Sequence, residues 1–313
     1  METLTEERPA PSRVAEPASA PPPRSSAMAL LVAMRPSEWI KNLLVFAGVL
    51  FSGKLGHGAQ LADAAVTFGC FCAISSAGYL FNDLHDAPFD RRHPEKRHRP
   101  IASGALPATT AWVSSAALAA LGIAAGAVLV APEVAGLVAG YGVITVAYTL
   151  ILKRLVILDV MAIATLFILR VVAGAVAVGA HASEWLLLCT GMLALFLGFT
   201  KRRQEATLEQ SEGGETRPVL EHYSLPFLDQ MVSMVTASAI LSYVIYAVNS
   251  PRIGSKMLAT APSVLYAIFR YLYLIYDRRD TRSTAAILTE DPGMLFAAIT
   301  WVAAAVLMLY VFD

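Results

Sequence analysis

Nine long apolar stretches, separated by charged segments, divide this chain and leave few folds open to it. A helix that crosses a bilayer needs about 20 mostly apolar residues, because the hydrocarbon core is about 30 Å thick. The stretches cover residues 38–51, 61–81, 109–130, 134–152, 155–178, 184–200, 231–248, 257–276 and 292–311. The first is short, and an earlier start near Ala27 with Pro36 as a kink is the alternative. The expected fold class is therefore all-α, a polytopic membrane protein. Composition agrees: 56% of residues are hydrophobic and 15% are charged, against about a quarter charged in soluble domains.

The charges give an orientation. With a cytoplasmic N-terminus and strict alternation, 19 of the 24 lysines and arginines fall on the cytoplasmic side, three on the other side and two, Arg170 and Arg270, within spans. That asymmetry obeys the positive-inside rule, and an error of one span would destroy it downstream. The expected location is the inner (plasma) membrane, with the C-terminus on the opposite side. The longer loops, near 82–108, 201–230 and 277–291, share the cytoplasmic side, where chemistry is expected.

Other features narrow the class. Residues 1–27 are rich in Pro, Ala, Ser and Glu, lack the apolar core of a signal peptide and read as a disordered cytoplasmic tail. Residues 28–313 form the membrane domain. The three cysteines lie in apolar stretches, too few and too scattered for a disulfide framework or a zinc site. The formal net charge is zero, and no nucleic-acid partner is expected.

The richest stretch runs from Asn82 to Pro100. Asp83, Asp86 and Asp90 recur at i, i+3 and i+7, within about 60° of one another on a helix. Three like charges on one face at a span end require a cation, and hard oxygen donors suit Mg²⁺ bridged to phosphates. Lys96, Arg97 and Arg99 follow, and can neutralise phosphate oxygens that a metal does not reach. A solvated acidic–basic loop explains the arginines but not the three acids on one face.

Asn82, Asp83, Asp86 and Asp90 match N-D-x-x-D-x-x-x-D, and in this the chain resembles the UbiA superfamily. Two further stretches resemble its phosphoribosyl-transferring branch: Arg35-Pro36-x-x-Trp39-Ile40-Lys41-Asn42, and His93-Pro94-x-Lys96-Arg97-x-Arg99-Pro100-Ile101-Ala102-x-Gly104. Members that use prenyl diphosphates usually carry a second aspartate-rich motif after the sixth span. Here that place reads Lys201-Arg202-Arg203-Gln204-Glu205, a pattern similar to the phosphoribosyl-transferring branch.

The resemblance implies a nine-helix bundle with a central cavity open to the cytoplasmic side, and a Mg²⁺-dependent transferase. Its metal ligands would be Asn82, Asp83, Asp86 and Asp90, with the three aspartates catalytic. The donor would be phosphoribosyl diphosphate and the acceptor a polyprenyl phosphate lipid, with Trp39 guiding its tail. Arg35, Lys41, Lys96, Arg99, Tyr148, Lys153, Lys201, Arg202 and Glu205 would line the substrate site. Arg170 joins them as a mid-membrane cation, either in the cavity or as a structural hydrogen-bond donor. The alternatives are prenyl transfer to an aromatic acceptor and a non-enzymatic transporter. One-sided charges and the lack of an internal repeat disfavour the transporter. Residues 209–223 read as a candidate lid, and Thr289-Glu290-Asp291 as a helix cap or a late contribution to the site.

Overall fold

The computed structural model describes residues 26–93, 96–212, 218–250 and 252–311. Most of the expected tail and residues 213–217 of the candidate lid lie outside these. Among the described residues the secondary structure is entirely helical. Eight helical segments are long and apolar enough to cross a membrane. They are α3 (Gly58–Asp90), α4 (Ala108–Leu129), α5 (Pro132–Leu150), α6 (Leu158–Ala177), α7 (Glu184–Glu212), α8 (Leu225–Val248), Gly254–Tyr276, which ends in α9 (Ala261–Tyr276), and α11 (Pro292–Tyr310). A short α10 (Thr284–Glu290) precedes the last.

Local sequence explains several of their ends. Pro132 opens α5 with Glu133 beside it, where a missing N–H and a negative charge both suit a helix start. Ser224 caps α8 by accepting from Phe227 N at 3.3 Å. Asp291 accepts from Met294 N at 2.9 Å, so of the two roles open to it, it is the cap of α11.

The first predicted span is not a continuous helix. A short α1 (Ser26–Met34) ends at Arg35, which takes a left-handed conformation with φ 53°. A 3₁₀ segment, Pro36–Phe46, follows and passes into α2 (Ala47–Phe51). At about 2.0 Å per 3₁₀ residue and 1.5 Å per α residue, these 16 residues reach roughly 30 Å. Tighter winding thus stretches a short segment toward the length of a full crossing.

Such a long 3₁₀ run has poor hydrogen bonds of its own, and its neighbours hold it. Trp39 Nε1 donates to Ser76 Oγ at 3.0 Å, and Asn42 Nδ2 lies 3.3 Å from Ser75 Oγ. Gly48 and Gly174 let α2 and α6 meet backbone to backbone, since a Cβ on Gly174 would stand 1.9 Å from the Val45 carbonyl oxygen. Gly174→Ala is accordingly expected to cost about 3 kcal/mol or more, by overpacking that only a backbone shift relieves. Gly136, with open space about it, serves as the neutral control, and thermal unfolding in detergent reads both.

The helices pack in chain order around a ring, α3 on α4 through to α9 on α11. The broken first segment lies against α3 and α6. Tyr310 closes the ring, donating its hydroxyl to Leu50 O at 2.9 Å. Lys54 binds the C-terminal carbonyl of Val178 at 2.6 Å near the same end, where a cation suits a helix terminus. The acidic end of α3, the start of α6 and the polar half of α7 gather at the other end.

Candidate active site

Helix α3 runs nine residues beyond its predicted end, carrying Asn82 to Asp90 as helix with Pro88 inside its last turn. The aspartates therefore share a helical face. Asp83 is 3% exposed, Asp90 is buried, and Asp86 is half-buried. Buried carboxylates demand partners, and three cations supply them. Arg35 Nη2 donates to Asp83 Oδ1 at 2.6 Å. Arg99 Nη1 bridges Asp90 Oδ2 at 2.8 Å and Asp83 Oδ1 at 3.3 Å. Lys153 Nζ reaches Asp86 Oδ1 at 2.5 Å. Asn82 turns its amide oxygen to Thr149 Oγ1 at 3.4 Å.

Each cation is placed by a break in helix geometry. The left-handed turn at Arg35 aims its side chain into the cluster, with Tyr79 beneath its guanidinium 5.0 Å away. Arg99 follows the 3₁₀ turn Lys96–His98, and Lys153 sits in the 3₁₀ turn Leu152–Arg154 between α5 and α6. Arg35, Asp83 and Arg99, with Val32, Ala33, His98 and Pro100, line a cleft of about 360 Å³.

A second cluster lies at the head of α6. Arg202 of α7 is 1% exposed and Asp159 is fully buried. Arg202 Nε donates to Asp159 Oδ2 at 2.6 Å, Nη1 to Glu205 Oε2 at 2.5 Å, and Nη2 to Tyr148 Oη at 3.2 Å. All three guanidinium nitrogens are thus committed within the protein. Through these bonds Arg202 of α7 joins α5 and α6, with Tyr148 and Glu205 holding two of its nitrogens.

Arg170 also donates from all three guanidinium nitrogens within the protein. Its guanidinium donates to Asn42 Oδ1 at 2.7 Å, Tyr141 Oη at 2.7 Å and Leu166 O at 2.8 Å. These bonds tie the first segment to α5 and α6. Lys41 pairs with Glu38 one turn away, a partner visible in the i, i+3 spacing but not singled out from sequence. Lys201 lies on the same turn of α7 as Arg202, half-buried. Lys96 is half-buried, and its backbone N–H donates to His93 Nδ1 at 3.3 Å. Trp39 is anchored on α3.

That turn of α7 reaches several elements. Arg203 pairs with Asp229 of α8 at 2.7 Å and stacks over Tyr276 of α9. Gln204 donates to backbone carbonyls of Asp280 and Arg282. In the same loop the Arg282 guanidinium beside Asp280 holds its carboxyl below the usual carboxylate range.

The described residues contain no group of three or more His, Cys, Asp or Glu already converged on a metal position. The donor set still fits a hard divalent ion, with only oxygen donors along one helix face. Arg35, Arg99 and Lys153 already pair with these carboxylates.

Comparison with known proteins shows the family. The model of the UbiA prenyltransferase family matches residues 41–299. The chain belongs to the UbiA prenyltransferase family. It is 31% identical to the decaprenyl-phosphate phosphoribosyltransferase of Corynebacterium glutamicum, over 93% of this chain and 89% of that one. It is 34% identical to the protein of the same name from Mycolicibacterium smegmatis, over 76% of each. A solved UbiA homologue from Archaeoglobus fulgidus, bound to GPP and Mg²⁺, superposes with a TM-score of 0.69 at 19% identity, over 90% of this chain and 96% of that one. This UbiA-family transferase is an integral membrane protein, and the aspartate cluster at the end of α3 is its strongest candidate site.

Proposed function

We propose that this enzyme transfers the 5-phosphoribosyl group of phosphoribosyl diphosphate to a polyprenyl phosphate at the cytoplasmic membrane face. The observation that carries the reading is the inequality of two helices where they leave their apolar stretches. The end of α3 presents Asp83, Asp86 and Asp90, whereas α7, at the start of its polar half, presents Lys201 and an Arg202 locked between Asp159 and Glu205. A single acidic cluster beside several cations suits a donor and an acceptor that both carry phosphate. The relatives named decaprenyl-phosphate phosphoribosyltransferase support the same donor and a decaprenyl-type acceptor.

Asn82, Asp83, Asp86 and Asp90 would hold Mg²⁺, which, when bound, neutralises charge on the diphosphate leaving group. Arg35, Arg99 and Lys153 contact the donor's phosphates beside those carboxylates. Lys41 and Lys201 serve further phosphate oxygens from the first segment and α7. An oxygen of the lipid phosphate attacks the anomeric carbon, and the carbon–oxygen bond to diphosphate breaks, its electron pair leaving with the diphosphate. The nucleophile is already ionised, so no side chain need take a proton. The enzyme contributes orientation and charge stabilisation.

The broken first segment acts as a ninth crossing in this reading. It sets the N-terminus and the site on the cytoplasmic side and the C-terminus on the other, consistent with the distribution of Lys and Arg. Isoprenoid tails remain in lipid, where Trp39 and the apolar helix faces meet them.

Parallel incubations of purified protein test the proposal. Radiolabelled phosphoribosyl diphosphate with polyprenyl phosphate is expected to yield labelled lipid, whereas radiolabelled prenyl diphosphate with an aromatic acceptor is not. The reverse pattern would replace the reading with aromatic prenyl transfer. Lys201→Ala is expected to raise the half-saturating donor concentration about tenfold, the scale of one charge-assisted hydrogen bond, as measured in the same assay.

A further inference from the structure

We infer that Tyr223 is a positioning residue that holds the α5–α6 turn in a strained form and so keeps Lys153 against the acidic cluster. The inference rests on the reading of Lys153 as a substrate contact and goes beyond it by assigning what places that lysine.

The strain is at Ile157. Its φ is 71° and its ψ is −45°, a region that β-branched residues rarely enter. Such conformations persist where surrounding structure imposes them. Ile157 is also the N-cap of α6, a position usually taken by Ser, Thr, Asp or Asn, and its side chain supplies no capping hydrogen bond.

Tyr223 supplies what the turn lacks. Its hydroxyl accepts from Ile157 N–H at 2.6 Å and donates to Asp159 Oδ1 at 2.8 Å. Asp159 is held in turn by Arg202 Nε at 2.6 Å. One hydroxyl therefore grips both sides of the strained residue and ties it to a buried ion pair. Four residues before Ile157, Lys153 extends to Asp86 at 2.5 Å. A turn free to relax at Ile157 would rotate the short 3₁₀ segment Leu152–Arg154 and withdraw that ammonium.

Tyr223 is itself anchored. Its ring packs with Val219, Leu220 and Leu228, so Phe keeps the packing and removes only the two hydrogen bonds. Ile157 is 40% exposed, so Gly there gives up only part of a core residue's packing, and Gly enters positive φ without a Cβ penalty. The pair Tyr223→Phe and Ile157→Gly thus separates imposed strain from simple packing.

The test uses the full chain in lipid nanodiscs, as Tyr223→Phe, Ile157→Gly and the double variant. Two readouts are taken: donor KM and kcat, and the rate at which acetic anhydride labels Lys153, followed by mass spectrometry. Tyr223→Phe is expected to raise donor KM about tenfold, the scale of a lost buried hydrogen bond, with kcat within about twofold. Lys153 labelling should rise several-fold. Adding Ile157→Gly is expected to return both values to within about twofold of Ile157→Gly alone. An unchanged KM in Tyr223→Phe, or a double variant as impaired as Tyr223→Phe, would overturn the inference. If Tyr223→Phe does not accumulate as folded protein, recovery of folded protein in the double variant supports the inference and continued loss refutes it. If even the unaltered chain transfers no phosphoribosyl group, the proposed function fails, and Lys153 labelling alone then decides the role of Tyr223.

Discussion

Asp83→Asn is expected to abolish turnover, lowering kcat by about a thousandfold or more, while the protein stays folded. Asparagine has the shape of aspartate and keeps an oxygen that can accept from Arg35. What it loses is the negative charge that two guanidinium groups share and that the proposed divalent cation would need. Arg35 and Arg99 have side chains 30% and 28% exposed, so water compensates them when the carboxylate is neutralised. Size-exclusion profile and thermal midpoint should therefore match the unaltered protein. Asp86→Asn is expected to behave alike, because Lys153 and Asp86 are both partly solvated. Retained turnover in either variant would remove the aspartates from the chemistry.

Arg202→Ala is expected to act on the fold. It would strand Asp159, fully buried, without its cation. Removing one partner of a buried pair costs about 3–5 kcal/mol, because the remaining charge is left uncompensated. That is a large share of a typical total stability of about 5–15 kcal/mol, so poor yield or a thermal midpoint many degrees lower is expected. Replacing both partners, Arg202→Met with Asp159→Asn, should recover part of the loss, since no buried charge is left alone. A fully stable Arg202→Ala with only a raised donor KM would instead favour Arg202 as a substrate contact.

Sequence reading located the spans well where lipid ends and helix ends coincide. Residues 109–130 against Ala108–Leu129, and 292–311 against Pro292–Tyr310, differ by a residue or so. It fell short where a helix continues into water. Hydropathy stops near Phe81 and Thr200, but α3 runs to Asp90 and α7 to Glu212; the Lys, Arg, Gln and Glu beyond Thr200 favour helix, whereas the end of α3 stays helical against its propensity, with its three aspartates held in ion pairs. The 3₁₀ winding of Pro36–Phe46 left no trace in a pattern read at α-helical length.

Within the site, the structure brings together Arg35, Asp83, Asp86, Asp90, Arg99 and Lys153, each of them singled out from sequence. The distant pairings were not legible. Arg170 meets Asn42 from 128 positions away, and Asp159 meets Tyr223 from 64. A single sequence shows that a buried cation needs a partner but not which one it finds. A basic run at a span end looks the same whether its arginine faces phosphate or, as Arg202 does here, pairs with a buried aspartate.

Direct binding of phosphoribosyl diphosphate to the purified protein in nanodiscs, measured by calorimetry with Mg²⁺ and again with excess chelator, reaches the central claim most directly. Binding is expected with Mg²⁺, and its loss is expected both with chelator and in Asp83→Asn. Equal affinity under all three conditions would mean that the carboxylates at the end of α3 hold no cation for the donor.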